Sequence, residues 1–322
     1  MNYTDKSKFF YCVGISGVCM FVGLFIWSGE IQCQTSIEQY GTWAGSSSGQ
    51  ESNQLTITLG SGNPIAIVGS GNVVEKLYAI QPFDAIVCPL GLVQVVHTKA
   101  QDVVTMQGDD NIIAAFDIFV ENNTLYVQPT SDSLQLTSTR FPFIELIIGL
   151  GRKEELTVYG AGEYDLGTIT GKNFTFVMQG KSAVTAANIE VDTCTIDARG
   201  NCDTIMTIKA NTAAHISSAG MSIVRANIMT DSLHVQVQGT GTVILDGNAV
   251  TQQLLVDGAS YYDGKNMQTK FTELTLNGAS QATVHASESI TGSVQGTSSV
   301  TYFGNPKTVH LLSIGMSEVH KG

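Results

Sequence analysis

The chain has 322 residues, of which 43% are hydrophobic and 14% charged, and this balance excludes a protein that is disordered over its whole length. Its formal net charge of -12 excludes nucleic acid as an expected ligand, because polyphosphate would be repelled over most of the surface. The 33 glycines, set against 6 prolines, favour an all-β protein built from many short strands and turns.

The amino-terminal region contains an apolar run. Residues 9–27 carry no charge, and Lys6 and Lys8 precede them. A run of this length is typical of one transmembrane helix, and the lysine pair predicts that the amino end stays in the cytoplasm. We therefore expect residues 1–33 to form a cytoplasmic stub and a membrane anchor, with a cleaved signal segment as the alternative. The rest of the chain would lie in a bacterial cell envelope, in the periplasm or, after cleavage, at the cell surface.

Two further segments separate this run from the repeats. Residues 34–65 are rich in glycine, serine and glutamine and predict a flexible tether. Residues 66–151 hold several irregular strand patterns and predict an amino-terminal β region. Within it, "ENNTLYV" at 121–127 is typical of a hairpin, and "DDNIIAAF" at 109–116 of one short helical turn.

Residues 152–322 contain a repeat whose most regular position is a glycine. Successive copies are 18 to 20 residues apart, which indicates a solenoid whose units bury a core by stacking on their neighbours. The repeat glycines are Gly160, Gly180, Gly200, Gly220, Gly239, Gly258, Gly278, Gly296 and Gly315.

The positions around these glycines identify the kind of solenoid. Four residues before the glycine, eight of the nine copies are apolar, as at Leu274, and two residues after it every copy is small, as at Ser280. The positions just before the glycine are mainly polar. We predict a parallel β-helix of about nine coils of 19–20 residues, with the small side chains inside a cramped corner.

Several segments together resemble one protein family. They are "GSGNVVEK" at 69–76, "FDAIVCPLGLVQVVHT" at 83–98, "ENNTLYV", the repeats, and "QGTSSVTYFGNPKTVHLLSIGMSEVHK" at 295–321. Over roughly 66–322 the chain resembles the head GIN domain, the putative auto-transporter adhesin family of bacterial envelope proteins. This resemblance implies an exported, right-handed, adhesin-like β-helix with no defined catalytic residues.

Charged side chains on outward positions are one candidate for a catalytic site. Asp197, Arg199 and Asp203 share one coil, and Arg225 lies on the next. Carboxylates in such places transfer protons or bind calcium in polysaccharide-degrading β-helices. Their spacing equally fits ion pairs on a solvated face, so we expect no catalytic residues and no enzymatic activity.

Histidines and cysteines were considered as metal ligands. His215 and His234 each lie five residues before a repeat glycine, so we expect their side chains to stack on one outer face. Zinc would need further ligands, and Thr195 and Gln253 flank the pair. No C-x-x-C pair occurs, and Cys202 falls in the small column, where a buried thiol is expected. We expect no metal and no cofactor.

The carboxyl-terminal coil is the remaining candidate site. An uncovered solenoid end exposes backbone amides and apolar side chains, so we expect this coil to dock on another copy or on an envelope protein. The residues concerned are Leu311, Leu312, Ile314, Met316 and Val319.

The predicted function is that of a non-catalytic interaction module, either adhesin-like or a structural subunit of an envelope assembly. Two alternatives stay open: a carbohydrate-binding or polysaccharide-active β-helix, and a periplasmic metal or stress sensor that uses His215 and His234.

Overall fold

The computed structural model of the chain describes residues 20–27, 30–38, 55–60, 63–88, 92–97, 103–139, 144–150 and 155–322. These residues form an all-β protein with one short helix, α1, at Asp110–Ile113. The strands of the amino-terminal part are β1 Met20–Trp27, β2 Glu30–Glu38, β3 Leu55–Gly60, β4 Ile65–Val68, β5 Val73–Ala79, β6 Ala85–Cys88, β7 Leu92–His97, β8 Val103–Asp109, β9 Phe116–Glu121, β10 Thr124–Pro129, β11 Ser133–Ser138 and β12 Ile144–Leu150.

The strands of the repeat part run through its coils. They are β13 Glu155–Asp165, β14 Thr168–Thr170, β15 Asn173–Gly220, β16 Ile223–Gly239, β17 Thr242–Val256, β18 Tyr261–Leu276, β19 Gln281–Gly296, β20 Ser299–Phe303, β21 Thr308–Gly315 and β22 Glu318–Lys321.

The structure does not support the predicted transmembrane helix. Residues 20–27 are strand β1, which pairs antiparallel with β2, while residues 9–19 lie outside the described part. Hydrophobicity alone does not distinguish an apolar helix from an apolar strand, and Phe, Val, Ile and Trp, which occur in the sequence of β1, are residue types that favour strands. Among the described residues, no helix is long and apolar enough to cross a membrane.

The amino-terminal strands pair irregularly. Strands β1, β2, β3, β11 and β4 form one sheet in that order, and β5 pairs antiparallel with β8. The hairpin predicted from "ENNTLYV" is present as β9 and β10, and its turn residues Asn122 and Asn123 have φ of 49° and 60°. The predicted helical turn is α1. Strands β6 and β7 then pair parallel with β13, which joins this region to the first coil.

The loop between β4 and β5 is fastened to α1. Ser70 Oγ donates a hydrogen bond to Asp110 Oδ1 over 2.5 Å, and Asn72 Nδ2 donates one to Asp110 Oδ2 over 2.8 Å. These bonds hold the pKa of the Asp110 carboxyl below its usual range. Gly69 approaches so closely that a Cβ there would overlap Asp109 Oδ2. The glycine-rich loop therefore holds a carboxylate of its own chain.

The repeat forms a parallel β-solenoid of about eight turns. Residue Ala226 lies opposite Met206, 20 residues earlier, and Leu245 lies opposite Ala226, 19 residues earlier. The predicted number of coils, about nine, is one too high. Nine repeat glycines mark nine corners, and eight full turns lie between the first corner and the last. The parallel pairing places equivalent residues of successive coils directly above one another.

The inside of the solenoid is filled by the columns that the repeat predicts to be apolar or small. Leu274 and Leu276 are fully buried, as is Ser280. At least 96% of the surface is buried in six members of the small column, which are Ser182, Cys202, Ser222, Ser260, Ser280 and Ser298. Ser317, in the last coil, is only partly buried. One hydrophobic cluster runs from Phe83 and Ile86 in the amino-terminal strands to Val300 in the last coils.

The corner after each polar column requires glycine. Gly278 has a φ of 81°, and a Cβ on it would lie 2.6 Å from the backbone oxygen of Gly258 in the coil below. The carbonyl oxygen of Gly258 accepts a hydrogen bond from the amide of Ala279 at 2.8 Å. A side chain would therefore force apart a hydrogen bond that joins two coils. The repeat glycines with positive φ are Gly200, Gly220, Gly239, Gly258, Gly278, Gly296 and Gly315.

Serine fills the small column because its hydroxyl bonds to the backbone of the corner. Ser280 Oγ donates to the carbonyl oxygen of Asn277 at 2.9 Å and lies 3.1 Å from Ser298 Oγ in the next coil. Ser260 makes the same bond, to Asp257 O, at 2.8 Å. These serines satisfy buried backbone acceptors of their own corners.

A buried polar cluster interrupts the apolar interior. The side-chain amide of Gln252 donates to the hydroxyl of Tyr262, and both side chains are buried. Thr272 Oγ1 contacts Gln252 Oε1 at 3.5 Å and Thr269 Oγ1 at 2.7 Å. Thr269 also donates to the backbone oxygen of His285 at 2.8 Å. Each member of the cluster thus has a partner.

Candidate binding face

The charged residues considered for catalysis form two separate ion pairs. Arg199 Nη2 lies 2.5 Å from Asp197 Oδ2, and Arg225 Nη1 lies 2.5 Å from Asp203 Oδ1. Partial burial raises the pKa of the Asp203 carboxyl, and the charge of Arg225 offsets this in part. Each carboxylate therefore has its own guanidinium partner, and the arrangement is that of ion pairs on a solvated face.

The two predicted histidines are brought together on the outer face. The pairing of β15 with β16 places His215 opposite His234, and their rings stack with centroids 4.7 Å apart and 8° between the ring planes. His234 Nε2 lies 3.2 Å from Ser232 Oγ. Partial burial, and then the neighbouring His234, hold the pKa of His215 below 6.5. The neutral form of His215 is therefore favoured.

The two stacked rings alone do not supply the ligand set of a metal site. An imidazole binds a metal through a nitrogen lone pair that lies in the ring plane, and nearly parallel rings one above the other direct these lone pairs side by side. The flanking Thr195 and Gln253 supply no histidine, cysteine or carboxylate. Within the part of the chain that the structure describes, no group of three or more such residues could hold a metal ion.

The histidines belong to a longer cleft, which the sequence analysis did not identify. Its volume is about 460 Å³, and it lies open on the outer face of five successive coils. One edge is formed by the side chains at the position that lies five residues before each repeat glycine. They are Thr195, His215, His234, Gln253 and Glu273. Those of the other edge come from three residues before the glycines and are Asp197, Ser217, Gln236, Leu255 and Thr275.

The strand register holds the two edges in place. His234 lies opposite Gln253, and Gln253 opposite Glu273. Gln253 Nε2 donates to Glu273 Oε2 at 3.3 Å, so neighbouring coils are also joined by their side chains. Asp197 presents Oδ2 to Arg199, while its buried Oδ1 has no hydrogen-bond partner. The cleft therefore combines donors and acceptors on a rigid support.

The cysteines of the solenoid are buried thiols. Cys194 and Cys202 are buried, as is Cys88 in β6. Burial raises the pKa of Cys194 to about 12 and that of Cys202 to about 11. The thiolate is the nucleophilic form, so these residues are unsuited to chemistry near neutral pH.

The carboxyl-terminal coil exposes most of the predicted docking residues. The exposed fractions are 59% for Leu312, 44% for Ile314 and 78% for Met316. Leu311 and Val319 are partly buried against the core. The proposed contact with a partner at these residues stays a prediction.

The geometry defines a β-solenoid with an open cleft on its outer face, whose two edges carry mainly polar side chains. The same fold occurs in a putative adhesin from Parabacteroides distasonis, with a TM-score of 0.62 and 15% identity over 80% of this chain and 100% of the other. A putative adhesin from Parabacteroides merdae gives a TM-score of 0.59 and 17% identity over 80% and 99%. A putative lipid binding protein from Parabacteroides distasonis gives 0.55 and 17% over 80% and 100%.

Part of the sequence also matches the model of a known protein family. Residues 202–306 match the family described as putative auto-transporter adhesin, head GIN domain, which confirms the resemblance. The matched range is narrower than residues 66–322, over which the resemblance is predicted from the sequence. No curated protein matches the chain.

Proposed function

We propose that this protein is a non-catalytic, adhesin-like binding module that acts outside the cytoplasm. One observation carries the proposal. Polar side chains from five coils line both edges of one cleft, and the paired strands beneath the cleft hold these side chains in register. The family match over residues 202–306 supports the same conclusion. A solenoid provides such a surface because each coil is fixed by its neighbours.

An adherence assay tests this proposal. Beads coated with the purified full chain should adhere to cells of the producing organism or to the surfaces it colonises, and free chain should compete. Beads coated with heat-unfolded chain are the matched control. Equal adherence of the two bead preparations, or no competition, would contradict an adhesin-like function.

A structural subunit of an envelope assembly is the finer alternative within this class. Crosslinking in the native cell, followed by identification of the attached proteins, separates the two. A single defined complex in every crosslinked fraction would favour an assembly subunit, whereas surface exposure without attached proteins would favour adhesion.

We propose an extracytoplasmic location, in the envelope or at the cell surface. The apolar residues 9–27 after Lys6 and Lys8 support export. Protease treatment of intact cells tests the location: degradation of the solenoid while a cytoplasmic marker survives is expected for a surface protein. Resistance until the outer layers are opened would indicate the periplasm.

A further inference from the structure

The shape of the cleft suits an extended ligand that lies along the solenoid axis. The cleft crosses five coils, from Thr195 to Glu273, and four steps of about 4.8 Å make it about 20 Å long. Side chains along both edges repeat at this spacing because the strands pair in parallel. A chain of similar units placed along the cleft would therefore meet one pair of side chains at each step, and both members of the pair are polar at four of the five steps.

The charges of the cleft favour a neutral ligand. The Asp197 carboxylate is paired with Arg199, and that of Glu273 accepts a hydrogen bond from Gln253. The pKa of His215 is lowered, so the neutral form of this residue is favoured. An anionic polymer would be repelled by the Glu273 carboxylate and by the net charge of -12.

The cleft offers the hydrogen-bonding groups that hydroxyls need. Gln236 and Gln253 are exposed, and each amide carries both donors and an acceptor. The exposed Glu273 carboxylate adds further acceptors at the end of the same edge. Hydroxyl groups both donate and accept, so they complement this mixture of amide, imidazole and carboxylate groups.

An extended peptide fits the cleft less well. Peptides bind to sheets mainly through an unpaired strand edge or through apolar pockets for their side chains. The strands under the cleft are paired with neighbours on both sides, as β16 is with β15 and β17. Among the ten side chains of the two edges, Leu255 alone is apolar.

We propose that the cleft binds a neutral, hydroxyl-rich chain, which is the chemistry of a glycan. This inference rests on the proposed function and names the class of ligand for it. The absence of large aromatic side chains from the two edges implies weak binding at a single site, and an adhesin would compensate by displaying many copies.

Affinity electrophoresis of the full chain tests the ligand class. Native gels would contain dextran, a β-1,3-glucan or galactomannan as neutral probes, and alginate as the anionic comparison. We expect at least one neutral polysaccharide to retard the protein in proportion to its concentration, and alginate to have no effect. Lack of retardation by all three neutral probes would overturn the proposal, as would retardation by alginate alone.

A pair of matched variants tests the cleft. Replacing Gln236→Ala and Gln253→Ala together should weaken binding by about tenfold or more. The control replaces Gln268→Ala and Gln281→Ala, which are exposed glutamines outside the cleft, and should leave binding unchanged. Thermal unfolding must agree between the two double variants. Equal retardation of the two double variants by the polysaccharide would overturn the proposal. The proposal would also be overturned if the unaltered chain and the control variant bound an oligolysine peptide and the cleft variant did not.

The bead assay separates this proposal from the proposed function. Adherence that survives in the cleft variant would refute the glycan cleft and leave the adhesin-like function standing. Failure of the unaltered chain to adhere would refute the function, whatever the gels show.

Discussion

The imidazole rings of His215 and His234 stack face to face, with centroids 4.7 Å apart. Their separation equals the spacing of adjacent strands in a sheet, because the two residues lie opposite each other in β15 and β16. Placing a proton on both rings would bring two positive charges together. The repeat places the two rings together, and this contact contributes to the lowered pKa of His215.

The first prediction concerns the pH dependence of stability. The pKa of His215 is lowered in the folded chain, chiefly by burial and further by His234. Its contribution to stability is full above the unfolded value of about 6.5 and falls as the pH decreases through the lower folded value. Imidazole signals in NMR spectra, followed against pH, should give a pKa below 6.5 for His215.

A variant separates the two causes of this shift. In His234→Gln, the pKa of His215 should move upward but stay below 6.5, because the neighbouring charge is removed and the burial remains. An unchanged His215 pKa in this variant would show that the two rings do not interact.

The second prediction concerns the corner glycines. Gly278→Ala places a Cβ 2.6 Å from Gly258 O, whereas in Gly239→Ala the nearest atom is 3.3 Å away. Their φ values of 81° and 82° are nearly equal, so the backbone cost is shared. Gly278→Ala should lower the free energy of unfolding by about 1–3 kcal/mol more than Gly239→Ala. Urea unfolding measures both, and equal losses would refute the steric explanation.

The third prediction concerns the buried polar cluster. Tyr262→Phe removes the partner of the Gln252 amide and should cost about 1–3 kcal/mol, because a buried donor is left unsatisfied. Adding Gln252→Leu should recover part of this loss. The control Tyr261→Phe alters an outward side chain that is 37% exposed and should change stability by less than about 0.5 kcal/mol. Equal effects of the two tyrosine variants would argue against the cluster.

The fourth prediction concerns thiol reactivity. Cys194 and Cys202, with pKa values of about 12 and 11, should resist iodoacetamide at pH 8 in the folded chain. Both should be labelled after unfolding in guanidinium, as peptide mass spectrometry would show. Rapid labelling of either one in the folded chain would contradict its buried position.

The solenoid could be predicted from sequence because its period leaves one glycine in every coil. Parallel pairing aligns the copies, so inward positions such as Leu274 and Ser280 show their environment in every repeat. The apolar residues 9–27 occur only once in the chain, so no repeat allows such a comparison for them. Their hydrophobicity alone favoured a helix, and the structure has a strand at residues 20–27.

The cleft could be predicted in part. The stacking of His215 on His234 followed from the repeat, and Gln253 was placed beside it. Glu273 lies one further step along the same edge, and the same position in the next repeat identifies it.

The members of the buried polar cluster could not be predicted from the repeat. Apolar residues such as Leu233 and Ile290 occupy the positions of Gln252 and Thr272 in other coils. The burial of these two polar residues depends on the pairing with Tyr262 and Thr269.

The hydrogen bonds between corners run along the solenoid axis, as from Ala279 to Gly258 and from Thr297 to Gly278. A pull along this axis would load the bonds of one coil at a time and peel the coils apart in sequence. A pull across it would load several coils in shear together, and many bonds would then have to break at once. A contact on the side of the solenoid would therefore withstand more force than one at its end.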